Sequence, residues 1–238
     1  GYVRLSVPGG LPGSEEPVVP GEVVHLPIGL ELFLKEGEQE RFASMVVGPG
    51  FGTTDEVADG VRRLVASPGP PTIVDGDGLT ALAGCRVDGS ARPLVLTPHD
   101  GEYFRLTGRS PGPDRMAAAR SLAADTGAVV LLKGPTTVVA APDGRVLLTA
   151  AGDARLATAG TGDVLAGIIG AFLARGAGPL EAAATAAHVH GRLATAVGFK
   201  ELPPTGVVAG DLSARLVNVL TEFSIDAIDL ADQTKGVC

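Results

Sequence analysis

The sequence predicts an α/β domain built on a doubly wound, mostly parallel sheet with helices on both faces and an antiparallel edge. Three observations predict it. From residue 44 onward, short apolar runs alternate with stretches of helical period, the pattern of parallel strands joined by crossover helices. Two apolar runs, 137–141 and 146–149, are joined by the turn sequence Pro142-Asp143-Gly144-Arg145, so a hairpin breaks the alternation and makes one side antiparallel. Glycine and polar residues follow the predicted strands directly, at the carboxyl ends where such sheets bind ligands.

Taken in order, residues 2–7 alternate and stop at Pro8-Gly9-Gly10, which reads as a strand and a turn. Residues 8–43 are rich in Pro, Gly and Glu, with a weak strand around 23–26, and are expected at the periphery. Strands follow at 44–48, 72–75, 94–97 and 128–133, and helices at 55–66, 78–83, 101–106 and 114–126. After the hairpin, the pairs Val164/Leu165, Ile168/Ile169 and Phe172/Leu173 recur at helical spacing, so a buried helix starts near Gly162. Helices over 180–197 and 209–220 complete a single domain spanning residues 1–222. Residues 223–238 carry no turn or cap signal and are expected to form a loosely attached tail.

A length of 238 residues suits one large core rather than two developed domains. The net charge of −8 excludes nucleic acid and anionic membrane as main partners, so any polyanionic ligand must be held by a local site. Cys85 and Cys238 make no disulfide framework, which points to a reducing cytoplasm. No apolar run approaches the ~20 residues that a membrane helix needs.

The chemistry concentrates around Gly160-Thr161-Gly162-Asp163. A helix start leaves its first N–H groups unpaired, the peptide dipoles add roughly half a positive charge there, and the glycines let an anion reach the backbone. Asp163 would repel that anion unless it takes a proton from the attacking group; otherwise it simply complements the dipole. Four strand-end segments could face this turn. Gly48-Pro49-Gly50-Phe51-Gly52 suggests a dinucleotide fingerprint, but the G-x-G-x-x-G pattern needs its third Gly at residue 53, which is Thr, so a tight turn fits equally well. Asp75 and Asp77 flank Gly76 and could reach a metal or hydroxyl groups, with capping of the next helix favoured for Asp77. His99 lies just past a buried strand and before a helix, where site residues belong, although a lone histidine is more often structural. Lys133 follows its strand without any G-x-x-x-x-G-K-S/T loop, and such a lysine is usually solvated. His25, His188 and His190 have no comparable position and read as structural or surface residues.

Read with its flanks, Ala157-Thr158-Ala159-Gly160-Thr161-Gly162-Asp163-Val164-Leu165-Ala166-Gly167 resembles the anion-hole and base segment of ribokinase-like proteins. Within them it is most similar to the NAD(P)H-hydrate dehydratases, whose pattern is A-T-x-G-T/S-G-D-V-L-A-G. Four further family patterns are matched: G-P-G-x-G at Gly48 to Gly52; D-x-D-x-L at Asp75, Asp77 and Leu79; T-P-H-x-x-E at Thr97, Pro98, His99 and Glu102; and K-G-x-x-T at Lys133, Gly134, Pro135, Thr136 and Thr137. The likeness covers roughly residues 44–220.

The resemblance implies a ribokinase-like fold and repair of hydrated NAD(P)H by phosphorylation and elimination, with ADP or ATP as phosphoryl donor and Mg2+ on the nucleotide phosphates. It assigns Asp163 as the base and places the substrate against Gly48, Gly50, Gly52, His99 and Asp163. The nucleotide would lie along Lys133, Gly134, Pro135, Thr136 and Thr137 and against Gly160, Thr161 and Gly162, with the N–H groups of Thr161 and Gly162 holding the transferred charge. No protein metal ligand is implied. A homo-oligomer is expected, as is an epimerase domain on the same or another chain. The sequence departs from the family in having Asp100 where Pro is usual and Asp153 where Asn is usual. A front unit, a strand and a Gly/Ala-rich helix, is missing ahead of residue 2, so the chain is expected to be N-terminally incomplete. Two alternatives stand beside the dehydratase: a kinase of the same fold acting on a vitamin precursor or sugar, which would replace T-P-H-x-x-E and K-G-x-x-T, and a nucleotide-binding module without catalysis.

Overall fold

Short, almost wholly apolar strands form the centre of the molecule. The computed structural model describes residues 3–6, 21–25, 34, 39–196 and 207–235. Its main sheet contains β3 (Met45–Val47), β4 (Thr72–Val74), β5 (Leu94–Leu96), β6 (Val129–Leu132), β7 (Thr137–Ala140) and β8 (Val146–Thr149), adjacent in that order. The pairs from β3 to β6 are parallel, and β6-β7-β8 is an antiparallel meander, as the hairpin sequence predicts.

Consecutive strand order sorts the helices. Crossovers between neighbouring parallel strands are right-handed, so a sheet that grows in one direction puts every connecting helix on one face. That face carries α1 (Asp55–Ala66), α2 (Asp77–Leu82), α3 (Asp100–Thr107) and α4 (Arg115–Thr126), packed on Val47, Val74, Leu94, Leu96, Val130 and Leu132. The other face receives the helices that follow the hairpin: α5 (Thr161–Ala174), α6 (Pro179–Thr195) and α7 (Ala209–Lys235). They pack on Ile73, Val95, Val129, Leu131 and Val139. The two sets alternate residue by residue because strand side chains point to opposite faces in turn, and strands buried on both faces must be apolar throughout.

Local sequence sets the helix ends. Thr54 and Asp114 accept hydrogen bonds from Val57 and Ala117 N–H and start α1 and α4, while Gly108 and Gly127, both left-handed, stop α3 and α4. At the opposite end of the sheet from the strand-end loops, the buried guanidinium of Arg92 bonds Gln39 Oε1, Ser67 O, Pro68 O and Thr72 Oγ1. Burial lowers its pKa, and these neutral acceptors satisfy it without a carboxylate.

The first strand, β1 (Val3–Leu5), pairs in parallel with β2 (Val23–His25) in a separate two-stranded sheet, so both strands read at 2–7 and 23–26 are present and neither joins the main sheet. One expectation is corrected. The last helix does not end near residue 220. It continues to Lys235. No Gly or Pro occurs between Leu220 and Gly236, so nothing in that stretch stops a helix once it has started.

Candidate active site

The loops after β3, β4, β5 and β6 meet, and one carboxylate joins them. Asp75, at the end of β4, is 3% exposed. Its N–H donates to Val47 O at 3.1 Å, and its Oδ1 accepts from Thr97 Oγ1 and from Lys133 Nζ, both at 2.8 Å. The β3 loop closes on the same turn. A Cβ on Gly48, whose φ is +116°, would lie 2.1 Å from Asp75 O and 2.5 Å from Gly78 N, so only glycine lets the two loops approach this closely. Asp77 does not cap α2, contrary to the sequence reading. The N-cap is Gly76, and the Asp77 carboxylate reaches across to accept from Gly52 N–H at 2.8 Å, tying the glycine loop in place.

His99 is the N-cap of α3. Its Nδ1 accepts from the N–H groups of Gly101 and Glu102, at 3.0 and 3.3 Å, and Glu102 Oε2 accepts in return from His99 N–H at 2.8 Å. With Nδ1 an acceptor, the ring proton sits on Nε2, on a half-exposed side chain beside the loop cluster. Asp100 has a defined use here: it holds Arg115 Nη1 at 2.7 Å, while Arg115 Nη2 donates to Lys133 O at 2.7 Å. An acid at the first helical position suits the helix dipole, as Pro there suits its backbone, so α3 keeps its start despite the departure from the family pattern. Gly134 leaves room for this arginine, since a Cβ would meet Arg115 Nη2 at 2.7 Å. Pro135 and Thr136 are exposed, and Thr137 Oγ1 closes the loop onto Gly134 O at 3.4 Å.

Lys133 is not a solvated strand-end lysine. Its ammonium pairs with Asp75 and lies 3.5 Å from Glu102 Oε2. The start of α5 approaches from the opposite layer. Gly160 is its left-handed N-cap, and a Cβ on Gly162 would stand 3.6 Å from Asp75 Oδ2 and 3.8 Å from Lys133 Nζ. The free donors differ by one residue from the expected pair. Thr161 N–H is already bonded to Thr158 O at 3.3 Å, and its hydroxyl binds Leu156 O and Thr158 O, so the open N–H groups belong to Gly162 and Asp163. Burial, and secondarily the charge of Asp75, raise the Asp163 pKa; Lys133 acts against them.

The structure therefore brings Gly48, Gly52, His99, Lys133 and the Gly160–Asp163 turn to one edge, linked through Asp75. The sequence reading gives Asp75 only a possible reach to metal or hydroxyl groups, gives Glu102 no role beyond its matched pattern, and misses Arg115, which carries no signal. His188 lies away from this edge, against Thr149 and Phe223, and the His25 side chain is outside the described residues. His190 is 7% exposed behind the turn, facing the Thr161 carbonyl, and burial pushes its pKa down to about 4. Among the described residues, no group of three or more His, Cys, Asp or Glu side chains is arranged to hold a metal ion.

Comparison with known proteins accords with this arrangement. Residues 25–217 match the family model of the NAD(P)H-hydrate dehydratases. A bifunctional NAD(P)H-hydrate repair enzyme, Nnr, of Salinibacter ruber is 45% identical over 183 residues, covering 75% of this chain and 34% of that protein. The chain thus spans about a third of the length of the curated relatives it matches. The Bacillus subtilis ADP/ATP-dependent NAD(P)H-hydrate dehydratase, co-crystallised with ATP and Mg2+, is 32% identical with a TM-score of 0.76, covering 85% of this chain and 72% of that one. A ribokinase-like protein of Enterococcus faecalis, 24% identical with a TM-score of 0.72, covers 85% and 70% and shows the shared fold. With a family match running from β2 into α7 and through every strand-end loop of the candidate site, the chain belongs to the NAD(P)H-hydrate dehydratase family.

Proposed function

We propose that this domain converts hydrated NAD(P)H back to NAD(P)H by phosphorylating the ring hydroxyl with ADP or ATP and then eliminating phosphate. The observation that carries this reading is the meeting of a carboxylate of raised pKa, Asp163, with two open N–H groups and the Lys133 ammonium on one turn. Asp163 takes the hydroxyl proton as that oxygen attacks the terminal phosphorus in line, and the bond from phosphorus to the nucleotide breaks. The N–H groups of Gly162 and Asp163 hold the charge that gathers on the transferred phosphoryl. Once phosphorylated, the oxygen leaves readily as phosphate: the ring nitrogen lone pair expels it, and loss of a neighbouring ring proton restores the dihydropyridine.

The substrate lies against Gly48, Gly50, Gly52 and His99, whose half-exposed ring has its Nε2 3.5 Å from Glu102 Oε1. The nucleotide lies along residues 133–137, with its last phosphate at the Gly160–Gly162 turn. Magnesium would enter on the nucleotide phosphates and neutralise their charge. An epimerase domain accompanies this one on the same or another chain, since its relatives are called bifunctional, and the domain assembles as a homo-oligomer. A reducing cytoplasm suits the exposed free thiol of Cys85, and no described helix is long and apolar enough to cross a membrane. Phosphate release with ATP or ADP, measured with and without hydrated NADH or NADPH, tests the reading. Release coupled to recovery of NAD(P)H absorbance supports it. A phosphorylated product without phosphate release would identify a kinase, and nucleotide binding without turnover a binding module.

A further inference from the structure

Lys133 stands between acids that it divides unequally. Its ammonium contacts Asp75 and approaches Glu102, while Asp163 has no ion pair among the described residues, although both Lys133 and Asp163 serve the Gly162 turn. An ammonium settled on Asp163 would hold that carboxylate ionised and make it a poor proton acceptor. We propose that Asp75 is a positioning residue that keeps the Lys133 ammonium off Asp163 and so leaves the base to the substrate hydroxyl. This rests on the reading of Asp163 as the base.

Asp75 is built for that task. It is buried, its backbone is tied to β3 through Val47 O, and its carbonyl is wedged under Gly48. Thr97 and Lys133 share its Oδ1, which leaves Oδ2 turned toward Gly162. Such a carboxylate cannot follow the lysine if the lysine swings, so it fixes where the cation rests. Burial and the Asp75 charge raise the Asp163 pKa against the pull of Lys133, the balance expected when the ammonium belongs to another acid. Of the other titratable groups near the turn, Glu102 is bonded to His99 N–H, and Asp211 of α7, the helix whose Ala209 would meet a Cβ on Gly160 at 3.1 Å, accepts from Val208 N–H. His190 faces the Thr161 carbonyl from behind the turn, and burial keeps it neutral.

The test is a double-mutant cycle on the free protein, with the Asp163 carboxyl titrated by carbon-13 NMR for the native chain, Asp75→Asn, Lys133→Met and the double variant. Asp75→Asn should lower the Asp163 midpoint by about one pH unit or more, and Lys133→Met should raise it. The decisive comparison is the fall caused by Asp75→Asn with and without Lys133→Met. A larger fall when Lys133 is present means that the lysine has moved onto Asp163. Equal falls would mean that Asp75 acts by its own charge alone, and the proposal would be overturned. If Asp75→Asn does not fold, Thr97→Val loosens Asp75 without changing any charge; a lowered midpoint supports the proposal and an unchanged one overturns it. The NMR cycle needs no turnover, so failure of the dehydratase reading and failure of this proposal are distinguishable. If the chain is an active dehydratase, the acid limb of kcat/KM should shift in step with the NMR midpoints.

Discussion

Acidification should destabilise this protein through a single imidazole before its carboxylates titrate. His190 is 7% exposed, its Nε2 has no hydrogen-bond partner among the described residues, and its pKa falls from 6.5 to about 4 in the fold. A histidine with a depressed folded pKa stays neutral where the unfolded chain is already protonated. Its contribution is complete above pH 6.5, declines as pH falls through the window between 6.5 and 4, and is gone below it. A shift of that size corresponds to at most ~3 kcal/mol, of which ~2 kcal/mol should be lost between pH 7 and pH 5. Urea unfolding at those two pH values, on the native chain and on His190→Leu, isolates the term, because background charge effects are common to both proteins. The native chain should lose ~2 kcal/mol more than the variant. Equal losses would show that His190 is solvated or charged in the folded state, and the burial argument would fail.

The glycine loop gives a graded prediction: Gly48→Ala should destabilise by roughly 3 kcal/mol or more, because its Cβ meets backbone at 2.1 Å. Gly50→Ala and Gly52→Ala, with positive φ but open space around them, should each lose only about 1–2 kcal/mol, read from the same urea curves. Asp163→Ala should reduce turnover roughly 10²-fold or more while nucleotide affinity by calorimetry stays level or improves, since a like charge is removed from the phosphate site. Retention of most activity would return Asp163 to complementing the helix dipole.

What the sequence made legible was periodic or punctuated. Every strand of the main sheet lay in an apolar run, the antiparallel edge followed from one Pro-Asp-Gly turn, and the start of α5 followed from two glycines ahead of paired apolar residues. What stayed hidden depended on tertiary reach. Asp77 carries a strong local capping signal, yet its carboxylate is spent on Gly52, 25 residues away, and no local rule ranks those two acceptor roles. Lys133 looked solvated because its partners, Asp75 and Glu102, lie 58 and 31 residues earlier on neighbouring strand ends. The end of α7 was misjudged because a missing stop signal was read as missing structure.

The position of Asp163, the proposed base, depends on how the two helical layers meet across the sheet. Lys133, Asp75 and His99 follow the strands, but Asp163 belongs to α5, which packs on the face opposite α1 to α4. Its placement therefore depends on how closely α5 can lie on the strands. Gly170 sets that distance: a Cβ there would stand 3.2 Å from Val46 Cγ2, and its carbonyl accepts from Ser44 Oγ at 2.8 Å. Behind the turn, Gly191 of α6 packs where a Cβ would be 2.7 Å from Gly152 N, which fixes the loop that leads into Gly160. A helix resting on glycine cannot slide outward without losing contact along its length, nor inward without running into the Val46 and Ile73 side chains. The open N–H groups of Gly162 and Asp163 are thus held near Asp75 and Lys133 by the close approaches at Gly170 and Gly191. In a chain of net charge −8, that fixed geometry is what would let one lysine and two N–H groups form the proposed anion site.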